Sequence, residues 1–411
     1  MVLKNWIYVL FSLFPLAIII GNFTINLTLI LISISLILIT ILHKGEFNIN
    51  NKNSYLLIFF FLSLVLNLVF SNDITLSYPR VVKFFFVIFF ILSFKYLLNT
   101  FKENQINYLY RIWSIFFLII IFDLIFEYFT GKNIFGLIST MPGQRLASFT
   151  GGSTIAESES VIGYFYYGFV LFFLSVLSQI FKNSKIDFVV AYILIIISFF
   201  IGERSNFIKV FIIINLYLIF TNELSNKIKI SFFLILILSL ITFLNFNQTY
   251  KVRYYNQIVK MFENKEGLLF INNSQYGAHY NVAKEIFLDN PIFGVGIKNF
   301  RVESASEKYD MLDHPKNNLR VSTHPHQIHY ELLSETGAVG YLCFLLFIIL
   351  SLFYSFNDYL KNKNVFQLSG ILFVITSILP LLPSGSFLST YNSSIFWINY
   401  AVMMGYISTN K

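Results

Sequence analysis

Apolar residues come in blocks along this chain, and each block is about as long as a helix needs to cross the roughly 30 Å of hydrocarbon in a bilayer. Lipid offers backbone groups no hydrogen-bond partner, so blocks of this length predict spanning helices. Composition agrees: 56% of the 411 residues are hydrophobic and 12% charged, too little polar surface to coat a soluble globule of that size. The expected fold is all-α and polytopic. It has about twelve spans, near residues 6–20, 25–42, 54–70, 81–98, 112–129, 161–181, 188–202, 206–221, 229–245, 337–356, 365–382 and 393–408. The run from Trp6 to Ile20 reads as a span rather than a signal peptide, because no small-residue cleavage site follows it and Phe14-Pro15 interrupts it. The single cysteine, Cys343, lies in an apolar run and excludes a disulfide framework.

Lysine and arginine in the short loops set the orientation. With the N-terminus inside, Lys44, Lys52, Lys95, Lys102, Arg111, Lys182, Lys185, Lys227, Lys229, Lys361 and Lys363 fall on the cytoplasmic side. The opposite short loops then hold only Arg80, Lys132, Arg145 and Arg204. Three parts follow: nine spans within residues 1–245, one large extracytoplasmic loop over 246–336, and three spans within 337–411, with both termini cytoplasmic. This layout depends on the run from Phe188 to Phe220, broken only by Gly202-Glu203-Arg204-Ser205-Asn206. A single helix there would be about 50 Å long with a charge pair at its middle. A hairpin with Arg204 at its extracytoplasmic tip removes both problems.

Six of the seven arginines (Arg80, Arg145, Arg204, Arg253, Arg301 and Arg320) fall on the extracytoplasmic side, whereas lysine is spread over both faces. A guanidinium fork binds phosphate or carboxylate oxygens in pairs, where lysine acts as a point charge. Two readings stand: loops that simply hold charges, or a phosphate or diphosphate bound at the outer membrane boundary. In the long loop, Asn290-Pro291-Ile292-Phe293-Gly294-Val295-Gly296 follows a helical stretch from Tyr280 to Leu288 and should end it in a tight turn. A Gly-x-Gly without a preceding strand, a third glycine or a following Lys-Ser/Thr does not make a nucleotide site.

His324, His326 and His329 share one short polar stretch. A zinc site would need a further ligand in good geometry, and Pro325 holds the chain before it extended. A helix starting near His326 would put His326, His329 or Tyr330, and Leu333 on one face and leave His324 outside it, which disfavours a compact three-histidine metal site. Two other readings remain: an interfacial helix with solvated histidines, or a working imidazole, neutral near pH 7 and able to take a proton from a hydroxyl.

His326-Gln327, nine residues, Gly337, two residues and Gly340 resemble the motif of the O-antigen ligase and O-antigen polymerase superfamily, in which His-Asn/Ser/Gln precedes a spaced Gly-x-x-Gly entering the next span. Glu335 and the Asn290 to Gly296 stretch also fit. Gly202-Glu203-Arg204-Ser205 is similar to the family's arginine-bearing tip between two spans. Arg145-Leu146-Ala147-Ser148-Phe149 with Glu159-Ser160-Val161-Ile162-Gly163 resembles another extracytoplasmic family segment. Where family members often carry an arginine ahead of the Pro-x-x-Gly-x-Gly turn, Ser274 to Tyr280 offers His279, and Arg253 lies further upstream.

The resemblance implies a membrane-embedded, inverting glycosyltransferase that needs no metal and no cofactor and takes a polyprenyl-diphosphate-linked glycan as donor. It sits in the bacterial cytoplasmic membrane with its active site on the periplasmic side. His326 would act as base, and Arg204, Arg80, Arg145, His279, Arg253 and Arg301 would supply the diphosphate site. Preorganised arginines stabilise the charge that develops on a departing diphosphate, and no nucleic-acid partner is expected. Three functions remain open: a ligase moving the glycan onto a lipid A-core or similar acceptor, a polymerase extending the glycan on its carrier, and a lipid-linked glycan transporter. A transporter should carry charge along its spans. Here Asp123, Glu127, Lys83 and Lys209 lie near span ends instead.

Overall fold

The computed structural model describes residues 2–42, 52–139, 141–150, 161–221, 224–259, 271–380 and 382–407. Helices, and no strand, occur among them. They are α1 (Val2–Ser12), α2 (Phe14–Ile20), α3 (Asn22–Leu42), α4 (Lys52–Val69), α5 (Ile74–Thr100), α6 (Glu103–Thr130) and α7 (Ile162–Phe181). Then come α8 (Ser184–Ile201), α9 (Arg204–Thr221), α10 (Asn226–Phe246), α11 (Gln275–Asp289), α12 (Ile328–Asn362), α13 (Val365–Ser377) and α14 (Tyr391–Gly405), with short helical turns between some of them.

Eight of these (α3, α5 to α10 and α12) are long and apolar enough to cross a membrane. The pair α1 and α2 adds a ninth if taken as one span bent by 51° at Leu13, just before Pro15. The apolar helices of α4 and α13 are shorter, and α14 has 15 residues. Every expected span thus falls on a helix, while eight or nine meet the length required for crossing. α5 starts earlier than residue 81 because Asp73 caps it, its carboxylate accepting from the Thr75 amide at 2.8 Å. Arg80 therefore rides on a helix rather than in a loop.

The core is aromatic. Tyr110 stacks on Phe366 at 3.7 Å, Phe60 on Phe347 at 5.3 Å, and the buried Trp113 donates its indole N–H to the Phe11 carbonyl at 2.8 Å. Such pairs add to area burial by about 0.5–1.5 kcal/mol each. α10 lies at the rim with Leu234, Ile235 and Leu238 exposed, an outward apolar face suited to lipid.

Two devices hold the loops on one end of the bundle. Asn299 ties the 290–303 region to the α4–α5 corner, accepting from the Asp73 amide at 3.0 Å and donating to Ser77 Oγ at 3.0 Å, while Phe293 stacks on Phe70 at 3.8 Å. At the other side, the Ser384 amide donates to the His326 carbonyl at 2.8 Å, and Ser205 Oγ donates to the Pro383 carbonyl at 2.6 Å.

Candidate functional site

The Phe188 to Phe220 run is divided between α8 and α9, joined by Gly202-Glu203 and packed against each other. Gly202 has φ +79°, and a Cβ there would lie 2.2 Å from the Gln144 carbonyl oxygen, so glycine alone lets the 141–146 loop close over the turn. The Leu146 amide completes the contact by donating to the Ile201 carbonyl at 3.1 Å. Glu203 is buried and accepts from the Gly163 amide at 2.9 Å and Asn206 Nδ2 at 2.6 Å. The segments around Arg145, Gly163 and Arg204 are therefore one packed unit. Glu159 and Ser160 lie outside the described residues, as does Lys44.

Asp123 and Glu127, at the end of α6, brace that unit. The Glu127 carboxylate accepts from the amides of Ala147 at 3.0 Å and Ser148 at 2.7 Å, and Asp123 accepts from Ser148 Oγ at 2.6 Å and the Ile134 amide at 2.7 Å. Both carboxylates are consumed in fixing the backbone beside Arg145.

Arg145, Arg204 and Arg253 lie within electrostatic reach of one another. Arg253 donates from Nε to the Gly202 carbonyl at 2.6 Å and from a terminal nitrogen to Gln144 Oε1 at 3.4 Å. Burial, together with the neighbouring Arg145 and Arg204, pushes its guanidinium down to about 10. Glu203 is the nearby carboxylate, and burial raises it against the pull of Gly163, Arg145, Asn206 and Arg253. Among the described residues neither Arg145 nor Arg253 forms an ion pair with a carboxylate. A cavity of about 250 Å³ opens beside Arg145, lined also by Tyr128, Ser139, Asn247, Thr249 and Tyr250.

The histidines rearrange the sequence expectation. Gln327 caps α12, its Oε1 accepting from the amides of His329 at 2.7 Å and Tyr330 at 3.1 Å while its Nε2 donates to the Pro380 carbonyl at 2.9 Å. The helix thus begins at Ile328, and His326 stands before the cap at φ +59° rather than on a helix face with Tyr330 and Leu333. His324 is not left out: its ring lies 4.1 Å from that of His326, and His279 stacks on His326 at 5.1 Å. His329 turns away, bonding the Ile378 carbonyl at 2.8 Å and Tyr341 Oη at 3.0 Å, which makes it a structural tie. Tyr276 meets His326 edge-on at 5.6 Å and also faces Arg204.

Burial first, then Lys298, His279 and Arg301 beside His324 and the other two imidazoles beside His326, hold His324 and His326 down to about 3; burial also lowers His279. The His324 and His326 imidazoles are therefore neutral at pH 7. Among the described residues no group of three or more His, Cys, Asp or Glu is arranged to hold a metal ion. Among the described residues five non-glycine residues have positive φ: Lys182 and Lys363 end helices, while Ser148, Lys298 and His326 all sit at this site. Left-handed backbone of this kind costs about 1–3 kcal/mol and persists where surrounding contacts over-determine it.

The Asn290 to Gly296 turn serves packing. α12 breaks at Gly337 (φ 64°, ψ −170°), and the turn fills the break: Val295 and Gly296 amides donate to the Ser334 and Glu335 carbonyls at 3.0 and 2.9 Å, and Ala338 and Val339 amides donate to Pro291 and Ile292 at 2.8 and 3.1 Å. A Cβ on Gly337 would meet the Ile292 oxygen at 2.4 Å, and one on Gly340 would meet Thr336 Oγ1 at 2.5 Å. Glu335 is fully buried beneath the turn.

Sequence reasoning missed a second set of charges. Lys298, with φ +66°, forms a buried ion pair with Glu331 at 3.6 Å and donates to Ser386 Oγ; Glu331 also accepts from the Phe387 amide at 2.8 Å. Arg80 and Arg301, expected beside Arg204, are instead mutual neighbours near Glu335, with Lys83 one turn along α5 from Arg80 and within reach of Lys298. His324 faces both Lys298 and Arg301. The six residues expected at the donor site thus divide into Arg145, Arg204 and Arg253, of which Arg204 faces Tyr276, then Arg80 and Arg301, of which Arg301 faces His324, and His279, stacked on His326. Only position after the Gly-x-Gly turn could have flagged Lys298.

Fold and site together define an all-helical membrane protein with a basic, histidine-bearing polar site at one end of its bundle. Residues 170–345 match the family model described as O-antigen ligase, which supports placing the chain in the O-antigen ligase and O-antigen polymerase superfamily. The matched range takes in Arg204, the Asn290 to Gly296 turn, His326, Gly337 and Gly340. No curated protein matches the chain.

Proposed function

We propose that this protein transfers a polyprenyl-diphosphate-linked glycan onto a hydroxyl of a lipid A-core or similar glycolipid acceptor, on the extracytoplasmic face of the bacterial cytoplasmic membrane. Both termini lie in the cytoplasm and residues 246–336 lie outside. The observation that carries the reading is the position of His326, a neutral imidazole that meets Tyr276 edge-on, with Tyr276 in turn facing Arg204 of the Arg145, Arg204 and Arg253 group. The diphosphate sits on Arg145, Arg204 and Arg253, whose charge is in place before the reaction starts. The acceptor oxygen bonds to the anomeric carbon from the face opposite the leaving group, inverting it. The bond from that carbon to the diphosphate oxygen breaks, its electron pair leaves with the diphosphate, and the hydroxyl proton passes to His326. Extension of a glycan on its carrier would use the same donor site and the same base.

The test is exchange of the gene into a ligase-null and a polymerase-null host, followed by display of the glycan ladder. Restored capping of the acceptor in the first host supports the ligase reading. Restored ladder length in the second would assign the chain to polymerisation, and restoration of neither would remove the reading.

A further inference from the structure

Four cations, Arg80, Lys83, Lys298 and Arg301, form a neighbourhood that reaches His324 through Lys298 and Arg301, apart from the Arg145, Arg204 and Arg253 group, and they face two carboxylates, Glu331 and Glu335. One carboxylate is already spent. Glu331 holds Lys298 in a fully buried network with Ser386 and Phe387. Glu335 faces the amides of Lys298 and Phe300 from beneath the turn. Lys83 Nζ is buried without a hydrogen-bond partner, as is Arg301 Nε, and neither Arg80 nor Arg301 has a carboxylate ion pair among the described residues. A buried donor left without a partner is destabilising, more so when it is charged. Arg80 and Arg301 are half-buried rather than sealed in the core, so an incoming anion can reach them.

We propose that the Arg80, Lys83, Lys298 and Arg301 cluster is a second anion site, which holds a phosphate-class group of the acceptor while the first cluster holds the donor diphosphate. It rests on the glycan-transfer reading for the word acceptor, though not for the anion. The contacts link the two clusters in the order Arg204, Tyr276, His326, His324, then Lys298 and Arg301, and that order suits a base that must meet donor carbon and acceptor oxygen at once. It makes an anionic acceptor the preferred substrate class. The buried Lys298–Glu331 pair fixes the floor of the site and joins it to the 384–387 segment that bonds the His326 backbone.

Full-length protein in phosphatidylcholine nanodiscs, titrated with inorganic diphosphate, should show two binding sites per chain. Arg80→Gln with Arg301→Gln should retain one, as should Arg145→Gln with Arg253→Gln, with melting temperatures unchanged; Arg80→Lys with Arg301→Lys should restore the second. One site in the wild type, or two in the Arg80/Arg301 glutamine variant, overturns the proposal. So does loss of the second site when phosphatidylglycerol is added, which would assign it to a lipid headgroup. In transfer assays Arg301→Gln should raise KM for a phosphorylated acceptor about tenfold or more and leave donor KM unchanged; a rise in donor KM alone overturns the acceptor assignment. If the wild type binds two diphosphates yet transfers no glycan, the transfer reading falls and the anion site stands.

Discussion

His326 and His279, 47 positions apart in the chain, stack their imidazoles at 5.1 Å and 22°, which places the motif histidine against α11 rather than on the helix it precedes. His279 is held in turn by the Leu319 carbonyl at 2.8 Å. An imidazole fixed by packing and by the Ser384 hydrogen bond to its own backbone needs little rearrangement to meet a hydroxyl. Losing a general base costs about 10²- to 10⁴-fold in rate, so His326→Ala should nearly abolish glycan transfer in membranes. His329→Ala, by contrast, should lower melting temperature with a smaller loss of rate, because its ring only ties the first turn of α12 to the Ile378 carbonyl and, across the Gly337 break, to Tyr341 on the same helix. Wild-type transfer by His326→Ala alongside an inactive but folded His329→Ala would show the wrong imidazole had been chosen.

Arg204 opens α9 beside Gly202, the residue whose missing Cβ admits the Gln144 carbonyl. Arg204→Lys keeps charge at this point but removes the fork that takes two phosphate oxygens together. Transfer should fall about 10²-fold, the cost of one preorganised donor at a developing anion. Equal donor KM and kcat for mutant and wild type would reduce Arg204 to a topology signal.

The helices were legible because apolar block length is a direct consequence of bilayer thickness, and the break at Gly202-Glu203 was legible because an unbroken helix would bury a charge pair. The α12 start was not. Gln is a poor N-cap by type, and nothing local to Gln327 announces that its amide will also reach Pro380. Membership of the histidine cluster was equally hidden, since His279 meets His326 only after α11 docks. The Lys298–Glu331 pair joins the segment just after the docking turn to the first turn of α12, 33 positions on, a contact that no spacing rule reports.

The histidine cluster also makes stability depend on pH in a definite sense. His324 and His326 are held near 3 in the folded state against an ordinary value of 6.5, so the unfolded chain binds more protons below 6.5. Their contribution is fully present above pH 6.5 and is lost as pH falls toward 3. The slope reaches at most about 1.4 kcal/mol per pH unit for each histidine. Melting temperature in detergent should fall between pH 6.5 and 4.5, and His324→Gln should flatten that fall. Transfer should show no acid limb near 6.5; a limb there would mean that His326 titrates as an ordinary histidine.

Gly337→Ala tests the α12 break. Its backbone is left-handed and its Cβ would sit 2.4 Å from the Ile292 carbonyl and 2.5 Å from the Gly294 amide, so both the helix break and the turn would have to shift. A loss of at least about 1–3 kcal/mol is expected, seen as reduced folded yield and melting temperature. Gly340→Ala meets only the Thr336 side chain and should cost less. The reverse order would mean that the turn does not depend on Gly337.

Topology underlies the whole functional reading, and two exposed asparagines report on it. Asn272 precedes α11 in the polar loop, and Asn362 ends α12 beyond its apolar length. With Lys361 and Lys363 cytoplasmic, the two positions should lie on opposite sides of the membrane. Cysteines placed singly at Asn272 and Asn362 in a Cys343→Ala background should therefore label oppositely with an impermeant thiol reagent applied to intact cells: Asn272→Cys modified, Asn362→Cys protected until the membrane is opened. Since α12 has 35 residues broken at Gly337, its segment beyond the break still covers about 37 Å at 1.5 Å per residue, enough to separate the two sites by a bilayer. Labelling of Asn362→Cys alone from outside would turn the molecule over, put His326 and both cation clusters in the cytoplasm, and take away the extracytoplasmic transfer proposed for them.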